Sequence, residues 1–309
     1  MSPTTFRSSG DLAADRRYGY ARALMAEGDA AAAVDLLVET LERVPAWAPG
    51  WFALGEAREA IGDRDGAAAA YRRALDVDPD DSLGARLRLG LLGATDVPSV
   101  PPSAFIRDLF DDYAPRFESS LVDGLSYRGP QLIASALDAA APGRSFARAI
   151  DLGCGTGLMA ETIRSRVGHV IGVDLSARMI AAARAKGLYD GLVVGDVVEV
   201  LAGEGAGSVD LVTAADVFCY LGDLQPVVAA SSRVLAPGGL LAFTVEVQID
   251  AAANSGFSLK DSLRYCHRQD YVFDVGRRSG LDLVSLAREE FRMDRGVPVE
   301  GFIVLFGRL

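Results

Sequence analysis

The run Ala149-Ile150-Asp151-Leu152-Gly153-Cys154-Gly155-Thr156-Gly157 constrains this chain more than any other segment. A short apolar stretch ends in an acidic residue, then a turn with glycine at every second position, and a helix-forming sequence follows. Glycine has no Cβ, so the backbone turns tightly there and a ligand can press against it. The spacing is G-x-G-x-G rather than the G-x-G-x-x-G of dinucleotide-binding turns. Taken alone, the run also fits an ordinary strand-to-helix loop of an α/β protein. The rest of the chain decides between the two.

After the turn, strand and helix signals alternate. Strands are predicted at 147–152, 169–174, 191–195, 208–214, 238–246, 282–292 and 300–307, with helices between the first five and again near 270–279. Such alternation predicts a parallel sheet with right-handed crossovers. The polar turn Asp294-Arg295-Gly296 joins the last two strands as an antiparallel hairpin.

The first ninety-odd residues carry no strand signal, are rich in alanine and repeat. Pro45 and Pro79 stand 34 residues apart, the period of a tetratricopeptide (TPR) repeat. Trp51, Leu54, Gly55, Ala67, Tyr71, Ala74 and Pro79 fall at that pattern's positions, small residues letting two helices approach and aromatics filling between them. The first copy keeps Ala33 and Pro45 and is otherwise degenerate; Leu83–Leu92 reads as a closing helix. Two repeats are fewer than the usual three, so the segment is expected to lean on the next domain or on a second copy, as in a homodimer. The stretch Val97-Pro98-Ser99-Val100-Pro101-Pro102-Ser103 reads as a stiff linker. The predicted organisation is therefore 1–94 helical repeats, 95–103 linker and 104–309 α/β domain.

Three carboxylates stand at or near the ends of successive strands, where open α/β sheets bind ligands. They are Asp151, Asp174 about twenty residues after the glycine turn, and Asp196. A carboxylate at Asp174 can accept both hydroxyls of a ribose, and Asp196 is placed to accept from an adenine amino group. The alternative for each is a helix N-cap.

With Asp151 before Gly153 and Gly155, and with Asp174 and Asp196 in register, the chain resembles the class I S-adenosylmethionine (SAM) methyltransferases. Phe110–Phe117, Leu121–Pro130 and Leu263–Val272, together with the TPR segment, are similar to a bacterial group of TPR-containing members. A more distant similarity is to the methyltransferase-like proteins of the Williams–Beuren region. The resemblance implies a Rossmann-like seven-stranded sheet ending in the antiparallel hairpin, behind an all-α TPR domain. It implies SAM as cofactor, with Gly153 and Gly155 at the methionine moiety, Asp174 at the ribose, Asp196 and Val197 at the adenine, and Leu175 among the cofactor-binding residues. Met179, four positions into the next helix, is a candidate cover for the adenine. An NAD-binding reading shares the acid after the second strand, but the glycine spacing, Asp151 and the closing hairpin argue against it.

Methyl transfer needs alignment, exclusion of water and a base only when the nucleophile carries a proton. The segment Ala214–Gly222 should face the acceptor; it lacks the Asn/Asp-Pro-Pro-Tyr/Phe motif of nucleic-acid amine methyltransferases, and Cys219 has no preceding proline. Asp216 is the expected carboxylate near the methyl group, either in catalysis or bonding only the methionine amino group or a backbone N–H, and Tyr220 in the same segment is a candidate acceptor-binding residue. Tyr113 and Phe117, four apart on one helix, are candidates for a lid over the cofactor or for packing on the sheet. His267 is the candidate base, and Arg264 and Tyr265 are candidate acceptor-binding residues, Arg264 suiting a carboxylate or phosphate. The alternative is that Arg264 and His267 satisfy loop carbonyls and a helix cap.

Composition narrows the partners. The net charge of −11 argues against binding nucleic acid through phosphates. Cys154, Cys219 and Cys266 form no metal-spaced pair, and with two histidines no metal site is expected. No apolar run approaches the roughly 20 residues of a membrane span, and the polar start lacks a signal core, so a cytoplasmic location is expected. The expected function is methyl transfer to an oxygen or nitrogen of a small molecule. A protein methyltransferase with TPR-recruited targets, or a TPR scaffold with a non-catalytic SAM domain, are the alternatives.

Overall fold

The computed structural model describes residues 7–118, 126–248, 256–294 and 296–309. They fall into two compact units, Met1–Leu109 and Phe110–Leu309.

The first unit contains α1 (Leu12–Ala26), α2 (Ala30–Arg43), α3 (Ala48–Ala60), α4 (Arg64–Val77) and the short α5 (Ala85–Leu91). Aspartate starts three of them: the Asp11, Asp29 and Asp63 carboxylates accept from first-turn backbone N–H groups. Each of the turns before α2 and α4 is a left-handed glycine followed by such an aspartate, Gly28-Asp29 and Gly62-Asp63. The two turns are 34 residues apart, so the first repeat keeps its turn chemistry as well as Ala33 and Pro45. Gly55 is required by packing: a Cβ there would lie 2.5 Å from the buried Tyr71 ring, which in turn leans on Phe52 at 5.2 Å. Gly55→Ala is expected to destabilise this unit by about 1–3 kcal/mol. An unchanged thermal unfolding curve would show that the helix pair has slack there.

The unit boundary lies later than the sequence predicts. A sixth helix, α6 (Ser103–Tyr113), begins where the linker was expected to end, and its first half belongs to the first unit. Phe105 is the reason. Its ring is buried against Gly84, whose φ of +78° and missing Cβ make the room.

The second unit contains α7 (Gly129–Ala140), β1 (Phe146–Leu152), α8 (Leu158–Ile163), β2 (Val167–Asp174), α9 (Ala177–Lys186), β3 (Gly191–Val194), α10 (Val197–Gly203) and β4 (Val209–Ala214). It continues with α11 (Gln225–Val234), β5 (Leu235–Val247), β6 (Phe257–Leu259), β7 (Tyr265–His267), α12 (Gln269–Arg278), β8 (Asp282–Asp294) and β9 (Val297–Gly307). The order β3-β2-β1-β4-β5 is parallel, β9 lies antiparallel on β5, and β8 pairs with β9. These are the seven predicted strands. Two more were not predicted: β6 and β7 form a small hairpin whose β7 pairs with Glu246 and Val247 at the carboxyl end of β5.

Alternate side chains of each central strand enter opposite cores. Ile150, Val212, Phe243 and Val304 pack in one, while Ala149, Leu211, Ala242 and Leu305 pack in the other. Both faces are covered, which explains why these strands read as apolar runs. Among the described residues, no helix is long and apolar enough to cross a membrane.

Candidate functional site

The glycine turn leaves β1 with Gly153, Gly155 and Gly157 at φ values of +59°, +54° and +99°, a region side chains rarely enter. The turn is tied to β2. Cys154 N–H donates to the Val173 carbonyl at 2.9 Å, and Gly155 N–H to Asp174 Oδ2 at 2.9 Å. The other Asp174 oxygen accepts from Ser176 N–H at 2.8 Å. Two backbone donors thus fix the plane of this carboxylate and leave further lone pairs for a ligand. Burial raises its pKa to about 6, against the pull of those two N–H groups.

Asp196 caps α10, Oδ1 accepting from Val198 N–H at 2.8 Å and Glu199 N–H at 3.2 Å. The cap uses one oxygen, and Asp196, Val197 and Leu175 all remain partly open. A bare glycine backbone, a fixed carboxylate at the end of β2 and a second acceptor at the end of β3 suit methionine, ribose and adenine in turn. These residues fit SAM.

Two candidates are placed otherwise. Asp151 is buried, and its oxygens accept from the Tyr189 hydroxyl and Thr213 Oγ1, both at 2.7 Å. Burial raises its pKa to about 6. It braces the turn from behind and faces no open space. Met179 is fully buried under α9, so it presents no surface for an adenine.

Aromatic rings roof the turn. Phe117 lies 3.5 Å from where a Gly155 Cβ would stand, and Tyr113 meets Phe117 edge-on at 5.5 Å. Phe110 reaches from Phe117, 6.4 Å away, to Tyr220 at 5.3 Å. The end of α6 is pinned beside Asp174, because Asp111 accepts from Ser176 Oγ at 2.5 Å and from Arg178 N–H at 3.3 Å.

Tyr220 leads to a buried ionic network. Arg264 donates from Nε to Glu246 Oε1 at 2.6 Å, from Nη1 to the Tyr220 hydroxyl at 2.7 Å, and from Nη2 to Cys219 Sγ at 2.8 Å and to Asp216 Oδ1. Its guanidinium also lies over the Tyr220 ring, 4.7 Å from the centroid. Arg292 donates to the same Glu246 oxygen at 2.6 Å, and Lys260 to the other at 3.0 Å. Burial opposes ionisation of Glu246, but the three cations overcome it and hold its carboxyl at about 2. Asp216 sits at φ +60°, held by its N–H donating to Thr244 Oγ1 at 2.8 Å. A non-glycine residue in that region costs about 1–3 kcal/mol and persists where its surroundings over-determine it. Asp216, Cys219 and Glu246 lie close enough to ligate a cation, but each is already bonded to Arg264.

His267 and Tyr265 are not at this surface. Tyr265 is fully buried, edge-on to Phe257 at 5.9 Å. The His267 ring is fully buried, with Nε2 facing the carbonyls of Leu221 at 2.9 Å and Gly222 at 3.1 Å. Burial lowers its pKa to about 4. A base needs a nitrogen facing the acceptor, and this ring instead braces the loop after β4, the alternative the sequence left open. His267→Gln is therefore expected to leave the pH profile of turnover unchanged and to lower stability. The neutral folded imidazole favours the native state above about pH 6.5, an advantage lost as pH falls toward 4. A turnover pH profile that changes in His267→Gln would restore it as a base.

Sequence reasoning missed Glu246, Lys260, Arg292, Phe110 and Tyr127. The signal for Glu246 was present, a lone carboxylate inside the apolar run of β5. Beside Lys260 lies a cavity of about 210 Å³, also lined by Val247, Val297, Pro298, Val299, Asp294 and Glu300.

Comparison with known proteins agrees with this fold. Residues 150–243 match the family model described as a methyltransferase domain, and residues 48–81 match that of a tetratricopeptide repeat. The chain is 37% identical over 109 residues to a ubiquinone biosynthesis O-methyltransferase of Hahella chejuensis, covering 34% of this chain and 44% of that protein. It is 34% identical over 161 residues to a malonyl-[acyl-carrier protein] O-methyltransferase of Enterobacter lignolyticus, covering 52% and 61%. The chain thus spans about half the length of the curated relatives it matches. Among solved structures, the [4+2]-cyclase SpnF superposes with a TM-score of 0.55 at 16% identity, over 68% of this chain and 97% of that one. Magnesium protoporphyrin IX methyltransferase from Synechocystis PCC 6803 superposes with a TM-score of 0.51 at 15% identity, over 67% and 99%. The chain therefore carries a stretch that matches a methyltransferase domain, on a fold shared with a solved methyltransferase, behind a tetratricopeptide repeat.

Proposed function

We propose that the protein transfers a methyl group from SAM to an oxygen of a small molecule. When bound, SAM supplies a methyl carbon already activated by its sulfonium. Asp174 orients the cofactor through the ribose, Asp196 and Val197 meet the adenine, and the turn at Gly153 and Gly155 admits the methionine moiety. Phe110, Tyr113, Phe117 and Tyr220 exclude water from the space between the glycine turn and Arg264. That roof is the observation that carries the reading, since aromatic rings packed over the glycine turn suit a small acceptor better than a polypeptide. The partial similarity to O-methyltransferases supports oxygen as the nucleophile. A cyclase with the same fold is a reminder that the fold does not set the reaction.

The test is to incubate the 309-residue chain with methyl-labelled SAM and a lysate of the producing organism, then separate small molecules from protein by filtration. Label in the filtrate supports the reading. Label on protein favours TPR-recruited protein methylation, and SAM binding without transfer to either fraction favours a non-catalytic scaffold.

A further inference from the structure

The network around Arg264 also bears on which oxygen is methylated. A hydroxyl acceptor must lose a proton, so it needs a base facing the methyl group. Among the described residues, none of the nearby candidates is free to serve. Asp216 is ion-paired to Arg264 and stands 3.8 Å from Arg292 Nε. Glu246 is buried and bonded to three cations. His267 is buried against loop carbonyls, and the Cys219 thiol is buried and accepts from Arg264.

The same region holds donors without partners. Arg292 is more than nine-tenths buried, and its Nε–H has no hydrogen-bond partner although it lies beside Asp216. The Tyr127 hydroxyl is likewise buried without a partner, on a ring clustered with Phe291, the chain neighbour of Arg292. An unpaired buried donor costs about 1–3 kcal/mol, more when charged. Two such donors, one on Arg292 and one on a ring that packs in a cluster with its neighbour Phe291, are what an anionic acceptor group would satisfy. The bonded network itself holds three cations, Arg264, Arg292 and Lys260, against two carboxylates, Glu246 and Asp216.

We propose that the acceptor is a carboxylate of a small organic acid, received by Arg292 Nε–H and the Tyr127 hydroxyl and converted to its methyl ester. The inference rests on the methyl-transfer reading above and names its substrate class. The balance is simple. A carboxylate oxygen lone pair forms the O–CH₃ bond while the CH₃–S⁺ bond breaks, its electron pair staying on sulfur. One negative and one positive charge cancel, S-adenosylhomocysteine leaves, and no proton moves. A site with no available base among the described residues suits this reaction.

The experiment uses the chain, methyl-labelled SAM and the small-molecule fraction of a lysate of the producing organism. Methylated products are treated with mild alkali, which hydrolyses methyl esters to volatile methanol and spares ethers and methylamines. The expected result is that most of the transferred label becomes volatile. Label that survives alkali overturns the carboxylate while leaving methyl transfer standing; no transfer at all, with SAM bound, overturns both. Arg292→Lys keeps the charge but removes the Nε–H donor. It is expected to raise KM for the acceptor about tenfold, one charged hydrogen bond, with SAM affinity near that of the parent and a lowered melting temperature, since the guanidinium bond to Glu246 is lost as well. An unchanged KM removes Arg292 from the acceptor site.

Discussion

Asp174→Ala is expected to weaken SAM binding about a hundredfold while the chain stays folded. The carboxylate offers the ribose two charge-assisted hydrogen bonds, each worth about 1.5 kcal/mol or more, and about 3 kcal/mol corresponds to two decades of affinity. Removing a buried carboxylate whose pKa is raised does not by itself threaten the fold. Burial favours the protonated form, so the contribution of Asp174 to stability is full below about pH 4 and is lost as pH rises through about 6. Ligand binding runs the other way, because the ribose needs the ionised group. In the parent chain, SAM affinity should fall as pH drops below about 6, approaching tenfold per unit for one proton. In Asp174→Asn that pH dependence should disappear. Calorimetry across pH with both variants reads each outcome, and equal affinity in Asp174→Ala would remove the carboxylate from the cofactor site.

Arg264→Met should be the most damaging single change in the α/β unit. One guanidinium bonds Glu246, Asp216, Tyr220 and Cys219. Glu246 is 1% exposed, and two of its three cations would have to hold it alone. Removing one partner of a buried ionic network costs about 3–5 kcal/mol, because the remaining charges lose compensation. Denaturant unfolding at neutral pH is expected to show that loss. Arg264→Lys should recover only part of it, since an ammonium cannot reproduce a planar fork with several partners. A midpoint unchanged in Arg264→Met would mean that Arg292 and Lys260 suffice and that the network is redundant.

Much of this architecture was legible in the residues. The β/α alternation, the glycine turn and the spacing to Asp174 express local rules, namely apolar runs for strands covered on both faces and glycine where φ is positive. The TPR pattern was legible for the same reason, since Gly55 and Tyr71 are complementary within one helix pair. The β6–β7 hairpin was not: its strands have three residues each and pair by finishing the edge of β5. Phe105 hides the unit boundary, because a proline-rich stretch marks where a helix begins and not which core its first turns enter. The side-chain network was hidden most completely. Arg292 and Glu246 are 46 residues apart and meet only because β8, through β9, lies beside β5. His267 shows the converse error, a residue type suited to base chemistry whose ring the fold turns toward two carbonyls.

We propose that the turn from Asp151 to Gly157, with Asp174 and Asp196, holds SAM. Titrating the 309-residue chain with SAM in a calorimeter tests it most directly. One molecule is expected to bind per chain, displaced by S-adenosylhomocysteine and not by NAD. No binding of SAM, or equal binding of NAD at the same site, would contradict it.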